Sequence, residues 1–292
     1  MSQPQPQSGY RPQMTDAGLA PCHAAAVVDE YGNPGEASIA GERPLTLYLN
    51  KREVVTLMTL GGHPELLAIG YLRNQGFVQD LHDIVAVQVD WETESAAVVT
   101  RGDIDGLEEK LSRRTVTTGC GQGTVFGKLM DDLDRLHLQQ PRLAQSTIYG
   151  LLNALAEYNQ VYRQAGAVHG CALCRGTEIS IFVEDVGRHN AVDAIAGHMW
   201  LEDIPGADKI FYTTGRLTSE MVIKVAQMNI PILLSRSGVT QMGLDLARQV
   251  GVTMIARAKG QHFLVFNGAG NIDFDAAPDP RRQGATGRRR AT

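Results

Sequence analysis

The residue best placed to do chemistry is a cysteine, Cys120, in the stretch TTGCGQGT over positions 117–124. Its neighbours are polar (Thr117, Thr118, Gln122, Thr124) and it is flanked by Gly119, Gly121 and Gly123. A thiol among aliphatic side chains is inert. A thiol on a pliable, polar stretch is accessible, and backbone N–H groups or a nearby arginine favour the thiolate, which is the nucleophile. Such a group can face a donor and an acceptor in turn. The bland alternative, a structural core cysteine, needs apolar surroundings that this stretch lacks. A C-x-x-C motif would close at position 123, where Gly123 stands instead. No Ser-His-Asp or Cys-His order is legible, so a hydrolase is not supported.

A second group of residues recurs at turns that follow apolar, β-branched runs. Glu184-Asp185-Val186-Gly187-Arg188-His189-Asn190 follows EISIFVED; here Asp185 can hold His189 or Arg188. Thr213-Thr214-Gly215-Arg216-Leu217-Thr218-Ser219-Glu220 follows KIFYTT. Ser235-Arg236-Ser237-Gly238 follows PILLS, and Arg257-Ala258-Lys259-Gly260 follows VTMIA. Any one of these reads equally well as a capped turn with a surface ion pair. An arginine at all four predicts a basic rim of Arg188, Arg216, Arg236 and Arg257 that suits a phosphate-bearing ligand. Neither a P-loop nor a Rossmann glycine fingerprint is present.

His169, Cys171 and Cys174 form H-G-C-A-L-C. The ligand types suit zinc, but they are cramped and no fourth ligand is evident. The signature of the zinc deaminases is missing. Small buried thiols beside Leu173 are the simpler reading, with a role for His169 near the active thiol as another.

The elements that must position these residues alternate in the second half of the chain. HNAVDAIAGHMWL, TSEMVIKVAQMN and VTQMGLDLARQV read as helices between the strands above, the last ended by Gly251, and HFLVFN reads as a final edge strand. Such alternation predicts a mainly parallel sheet whose ligands bind at the carboxyl ends of the strands. After Pro141, Ser146 is a fair N-cap for a helix placing Ile148, Leu151, Leu152, Leu155 and Tyr162 on one face. VFGKLMDDLDRLHL is a further amphipathic segment. Earlier, RPLTLYLNKREVVTLMT alternates around Asn50-Lys51 as a hairpin does, and Pro64 opens a helix that Gly76 closes. IVAVQVDW and SAAVVTR read as a further strand pair, so this region is a small α+β unit.

The chain has 292 residues, 43% hydrophobic and 20% charged, with a net charge of −5. That balance fits a globular protein and no general nucleic-acid binder. It has neither an apolar run long enough to span a membrane nor a secretory leader, and four cysteines are too few for a disulfide scaffold. A reducing, cytoplasmic setting is expected. The Pro/Gln/Ser-rich start and the arginine-rich end read as disordered.

Taken in order, PLTLYLN, PELLAIGYLRNQGFV, TTGCG, GAVHGCAL, EDVGRHNAVD, TTGRLTSEMVIKVAQMNIPILLSRS and ARAKG resemble the FdhD proteins, formate dehydrogenase accessory sulfurtransferases, over about residues 43–267. The resemblance implies a sulfur carrier. Cys120 takes sulfur from a cysteine desulfurase as a persulfide. It passes the sulfur to the molybdenum or tungsten bis-pterin guanine dinucleotide cofactor, which activates formate dehydrogenase. That cofactor is bound as cargo, and the protein has no metal of its own. The resemblance places Ala256, Arg257, Ala258, Lys259, Gly260 and Gln261 at the stretch linked with the pterin. Its guanine and phosphate groups account for a rim containing Arg188, His189, Gly215, Arg216 and Ser235. The implied fold is α/β, a cytidine-deaminase-like three-layer main domain with a mixed or parallel sheet plus a small N-terminal α+β part, and the implied assembly is a homodimer. The expected organisation is a largely disordered 1–40, an α+β part over 41–114, the main domain over 115–270 and a disordered basic tail over 271–292. Many relatives carry C-x-x-C where this chain has Gly123. Either Cys120 suffices or Cys171 or Cys174 supplies the second thiol. The rival functions are a cofactor chaperone that moves no sulfur and a zinc deaminase relative that kept its chemistry.

Overall fold

The computed structural model describes residues 9–104, 106–107 and 136–278. Cys120, the stretch around it and most of VFGKLMDDLDRLHL lie outside the described residues. The elements run β1 Gln13–Met14, β2 Cys22–Val28, β3 Pro34–Ala40, β4 Arg43–Leu49, β5 Arg52–Thr59, α1 Pro64–Asn74, β6 Ile84–Asp90 and β7 Ser95–Thr100. Then come β8 Leu143–Ala144, α2 Gln145–Leu155, α3 Gln160–Ala165, β9 His169–Arg175, β10 Glu178–Asp185 and α4 Arg188–Leu201. The last are β11 Ile210–Thr213, α5 Ser219–Gln227, β12 Ile232–Ser235, α6 Gln241–Val250, β13 Thr253–Lys259, β14 His262–Asn267 and β15 Ile272–Asp273.

Two compact units share these elements, and neither is continuous in sequence. One holds the residues up to 132 with 160–170 and 183–205; the other holds 133–159, 171–182 and 206 onward. This division differs from the expected break near 115, because α4 is fastened to α1 in the first unit. Gly70 of α1 and Gly197 of α4 meet where the two helices cross. A Cβ on Gly70 would lie 1.7 Å from the Asp193 carbonyl oxygen, and one on Gly197 would lie 2.1 Å from that of Leu66. Only glycine permits this approach. The buried Asn74 amide donates to Asp193 at 2.7 Å beside it, and Arg73 stacks on Trp200 at 5.2 Å. α1 also covers β6 and β7 of a five-stranded sheet, ordered β1-β6-β7-β4-β5. Burying Ile69, Tyr71 and Leu72 of α1 contributes roughly 1.5–3 kcal/mol each.

Local signals hold here. Asn50 and Lys51 take φ of 47° and 69°, as a tight hairpin turn between β4 and β5 requires, and Gly76 takes φ 68° just beyond α1. The expectation of disorder up to residue 40 fails from residue 9 onward. β1 pairs in parallel with β6, and Thr15 and the Ala17 N–H donate to Glu65 at 2.7 and 2.9 Å. β2 and β3 form a hairpin. Distant partners supply the order that a Pro- and Gln-rich composition hides.

In the second unit the six-stranded sheet has the order β10-β9-β11-β12-β13-β14. β11, β12 and β13 are parallel, while β9 and β14 run antiparallel to their neighbours, so the sheet is mixed. One face packs Ala172, Cys174, Tyr212, Leu234 and Ile255 against Ile148, Leu151, Leu152 and Leu155 of α2. The other face, with Leu173, Phe211, Leu233 and Met254, is also buried. α5 and α6, the crossover helices, pack against each other, and α6 rests on β13 and β14.

Three local expectations are corrected. Ser146 is not the N-cap of α2: its N–H and hydroxyl both donate to the Asp275 carboxylate, at 2.9 and 2.6 Å. Tyr162 does not continue the apolar face of α2, which ends at Leu155; it stands on α3, exposed. The segment expected to be a disordered tail is ordered up to residue 278, with β15 pairing with β8.

The helix crossing makes a direct prediction. Gly70→Ala has only backbone to push against and should cost about 3 kcal/mol or more. Gly62→Ala, whose Cβ would meet nothing within 4 Å, should stay within about 0.5 kcal/mol of the parent. Urea unfolding of the two variants measures the contrast.

Candidate functional site

The carboxyl ends of β11, β12 and β13 come together by register: Thr213 faces Ser235, and Leu234 faces Ile255. Beyond its last residue a parallel strand has no ladder partner. The backbone groups there must find other bonds, and here they bond to one another. The Arg236 N–H donates to Thr213 O at 3.2 Å, and the Arg257 N–H donates to Ser237 O at 2.9 Å. The Ser235 hydroxyl, fully buried, donates to Gly215 O at 2.6 Å and accepts the Ser237 N–H at 2.9 Å. The Thr213 hydroxyl accepts the Gly215 N–H at 3.1 Å, and the Leu217 N–H donates to Gly238 O at 2.9 Å. Three turns thus form one hydrogen-bonded edge.

The structure therefore brings together Gly215, Arg216, Ser235, Arg236 and the run Ala256–Gln261. Arg216, Arg236, Arg257 and Lys259 are exposed. Ala256 and Ala258 are fully buried, so the alternation in A-R-A-K anchors two side chains and releases two cations. Arg257 has φ 52°, and the β13–β14 register shifts between Ala256 and Lys259. A left-handed arginine costs about 1 kcal/mol. Gly260 follows with φ 60°, where glycine is at ease.

Arg188 and His189 are placed differently. They sit in the first turn of α4, after the Gly187 N-cap, in the other unit, and are 5% and 2% exposed. Nor is Asp185 confined to its own turn. It accepts the Thr59 hydroxyl at 2.6 Å, the Leu60 N–H at 3.1 Å, the Gly187 N–H at 3.0 Å and the Asn190 amide at 2.8 Å. Burial pushes its carboxyl above the usual range, and those four donors pull it back. Asp185 thus ties the end of β5 to the turn before α4. Sequence reading cannot see this partnership, because Thr59 lies far from it along the chain.

The thiols of β9 resolve into packing. Residues three apart on a strand point to opposite faces, so Cys171 and Cys174 cannot converge on one metal or one substrate. Both are fully buried. The Cys171 thiol donates to the Thr213 hydroxyl at 3.3 Å, and burial pushes the Cys174 thiol up to about 12. Half-buried His169 opens the same strand. Tyr212 is a site residue that the sequence reading missed. Burial pushes its phenol well up, and a hydrogen bond with the Arg236 side chain opposes that shift. It sits beneath one of the rim arginines. Its strand, KIFYTT, reads as uniform core, so the sequence carried no signal for it.

Chemically, this edge can hold an anion. Guanidinium groups pair bidentately with phosphate oxygens, and the turns that carry them are braced by the buried Ser235 and Thr213 hydroxyls. The FdhD/NarQ family pattern matches residues 40–273. The chain belongs to the FdhD/NarQ family. It is 30% identical over 237 residues to the sulfur carrier protein FdhD of Listeria innocua, covering 80% of this chain and 90% of that one. It is 28% identical over 252 residues to the protein of the same name from Wolinella succinogenes, covering 86% and 87%. Among solved structures, a candidate formate dehydrogenase accessory protein from Desulfotalea psychrophila superposes with a TM-score of 0.67 at 27% identity, covering 86% of this chain and 98% of that one. All of the rim falls inside the family region.

Two measurements test this site. Iodoacetamide at pH 8 should label neither Cys171 nor Cys174 until the chain is unfolded, since both are fully buried and burial raises the Cys174 thiol; peptide mapping reads the result. Arg257→Gly should leave stability unchanged or raise it by up to about 1 kcal/mol, because glycine adopts the left-handed geometry freely. Thermal unfolding decides whether that arginine is held at a conformational cost.

Proposed function

We propose that this protein is a sulfur carrier that serves formate dehydrogenase. The Cys120 thiolate attacks the sulfane sulfur of a cysteine desulfurase persulfide. A Cys120–sulfur bond forms, the desulfurase cysteine leaves as thiolate, and Cys120 holds a persulfide. In the second transfer the acceptor supplies the electron pair of the new bond to the outer sulfur, the S–S bond breaks with its pair left on Cys120 as thiolate, and the persulfide proton is released to solvent. The acceptor is the molybdenum or tungsten bis-pterin guanine dinucleotide, bound as substrate through its phosphates at Arg216, Arg236, Arg257 and Lys259, with Gly215, Ser235 and Ala256–Gln261 forming the braced floor. The scaffold is read as cytidine-deaminase-like, a reading supported by the strand order, with β9 antiparallel to β11 and β11, β12 and β13 parallel. The observation that carries the proposal is the stitched edge and its outward arginines, found in a chain whose relatives are named sulfur carriers.

One thiol suffices in this scheme. Burial of Cys171 and Cys174 speaks against either replacing the second loop cysteine that many relatives have. Arg188 and His189, expected at the cofactor, are buried in the first turn of α4 in the other unit and are not counted among the exposed rim residues.

A second reading has an observation of its own. Among the described residues the rim is built from turns and cations alone, which suits a chaperone that binds the guanine dinucleotide and moves no sulfur. Incubation with a cysteine desulfurase and cysteine, followed by peptide mass spectrometry, should show one added sulfur on the Cys120 peptide, and Cys120→Ala should abolish formate dehydrogenase activation. Full activation by Cys120→Ala would leave the chaperone reading standing and remove the carrier. Guanosine diphosphate should bind the parent chain and lose about tenfold or more in affinity in an Arg236→Ala/Arg257→Gly variant, with a steep salt dependence.

A further inference from the structure

A cleft of about 470 Å³ opens in the first unit. Three short segments line it: residues 9–11, residues 80–82 at the 3₁₀ turn Leu81–Asp83, and residues 200–203 where α4 ends. None of them belongs to the rim. The volume falls within the range of small-ligand sites, roughly 300–1,000 Å³. The first segment precedes the family-matched region, which starts at residue 40, so one wall comes from outside that region.

One wall is aromatic and braced. The Tyr10 and His82 rings stack at 4.8 Å and 23°. The Tyr10 hydroxyl donates to Ile84 O at 2.6 Å, and Arg101 lies over the Tyr10 ring at 5.6 Å. The Arg101 Nε–H donates to His82 O at 2.7 Å. Trp200 also lines the cleft. The polar lining is rich in acceptors. α4 ends here and brings the negative end of its dipole. The Ile204 N–H is spent on Met199 O, and Pro205 has no N–H to give. Among the described residues the backbone therefore leaves the Trp200 and Leu201 carbonyls to other donors. Three carboxylates, Asp80, Glu202 and Asp203, stand against one guanidinium, Arg11. Asp80 accepts the His82 N–H at 2.9 Å, and Glu202 pairs with Arg11. Asp203 has no hydrogen bond or ion pair among the described residues.

We propose that this cleft binds a small organic cation of the polyamine class, a methylene chain ending in ammonium groups. The aromatic wall suits the chain and attracts positive charge. The free carbonyls and Asp203 suit N–H donors that carry that charge. The protein's own side chains show the same chemistry, since Glu202 already holds Arg11 and the Tyr10 ring already carries Arg101. An anion would meet a lining of net negative charge. A metal ion needs several converging ligands, and no group of three His, Cys, Asp or Glu side chains placed to hold one occurs among the described residues. Arg11, supplied by the N-terminal segment, competes with the ligand for Glu202.

Calorimetric titration of the full chain with spermidine in dilute buffer should show saturable binding at one site. Octanediol, a chain without charge, should give none. Asp203 has φ 49°, a backbone that asparagine tolerates. Asp203→Asn should therefore leave thermal unfolding unchanged while raising the spermidine Kd about fivefold or more. Arg11→Ala removes the competing guanidinium and should lower the Kd about threefold. Opposite shifts from two exposed positions are not what general screening or lost folding produces. A parent chain that gives no saturable heat would overturn the proposal. So would variants that move the Kd in one direction or leave it alone, and so would magnesium chloride competing better than sodium chloride at equal ionic strength. None of these results bears on the sulfur carrier proposal.

Discussion

Where parallel strands stop, their last amides and carbonyls lose the ladder that satisfied them, and in this protein that shortage builds the site. Buried polar groups must be paired. The turns after β11, β12 and β13 therefore bond to one another, and the Ser235 hydroxyl bridges two of them by donating to Gly215 O and accepting from Ser237. The arginines are carried on a floor whose own bonds are complete. An exposed guanidinium on a braced turn loses less freedom on binding than one on a loose loop.

The same edge shows how burial and exposure divide neighbouring residues. Ala256 and Ala258 are sealed in while Arg257 and Lys259 stand in solvent. The irregularity between Ala256 and Lys259 shifts the pairing register with β14 while the buried–exposed alternation along A-R-A-K is kept. Beneath the edge, Tyr212, Cys171 and Thr213 fill the sheet. Their polar atoms meet Arg236 or one another rather than water.

In the first unit the controlling feature is steric. Gly70 and Gly197 let two helix backbones nearly touch, and that crossing places the α4 segment with the N-terminal residues. Asp185 adds a polar tie from β5 to the start of α4. The two features explain why the compact units do not follow the order of the chain.

The sequence alone determined what is local. Asn50-Lys51 could only be a tight turn between alternating runs, Pro64 and Gly76 bracket a helix, and the arginines of the later turns are legible as they stand. The motifs around those residues are by themselves enough to resemble the FdhD proteins. Tertiary structure decided which turns share an edge. It gathered those of Arg216, Arg236 and Arg257 and set Arg188 inside another unit. It also gave residues 13–40 their strands, replaced Ser146 by Asp275 as the partner at the start of α2, and turned Cys171 and Cys174 to opposite faces. The physical reason is common to all of these. Periodicity and turn chemistry act over a few residues, whereas strand register, helix approach and burial are set by partners tens to more than a hundred residues away, which no local window contains.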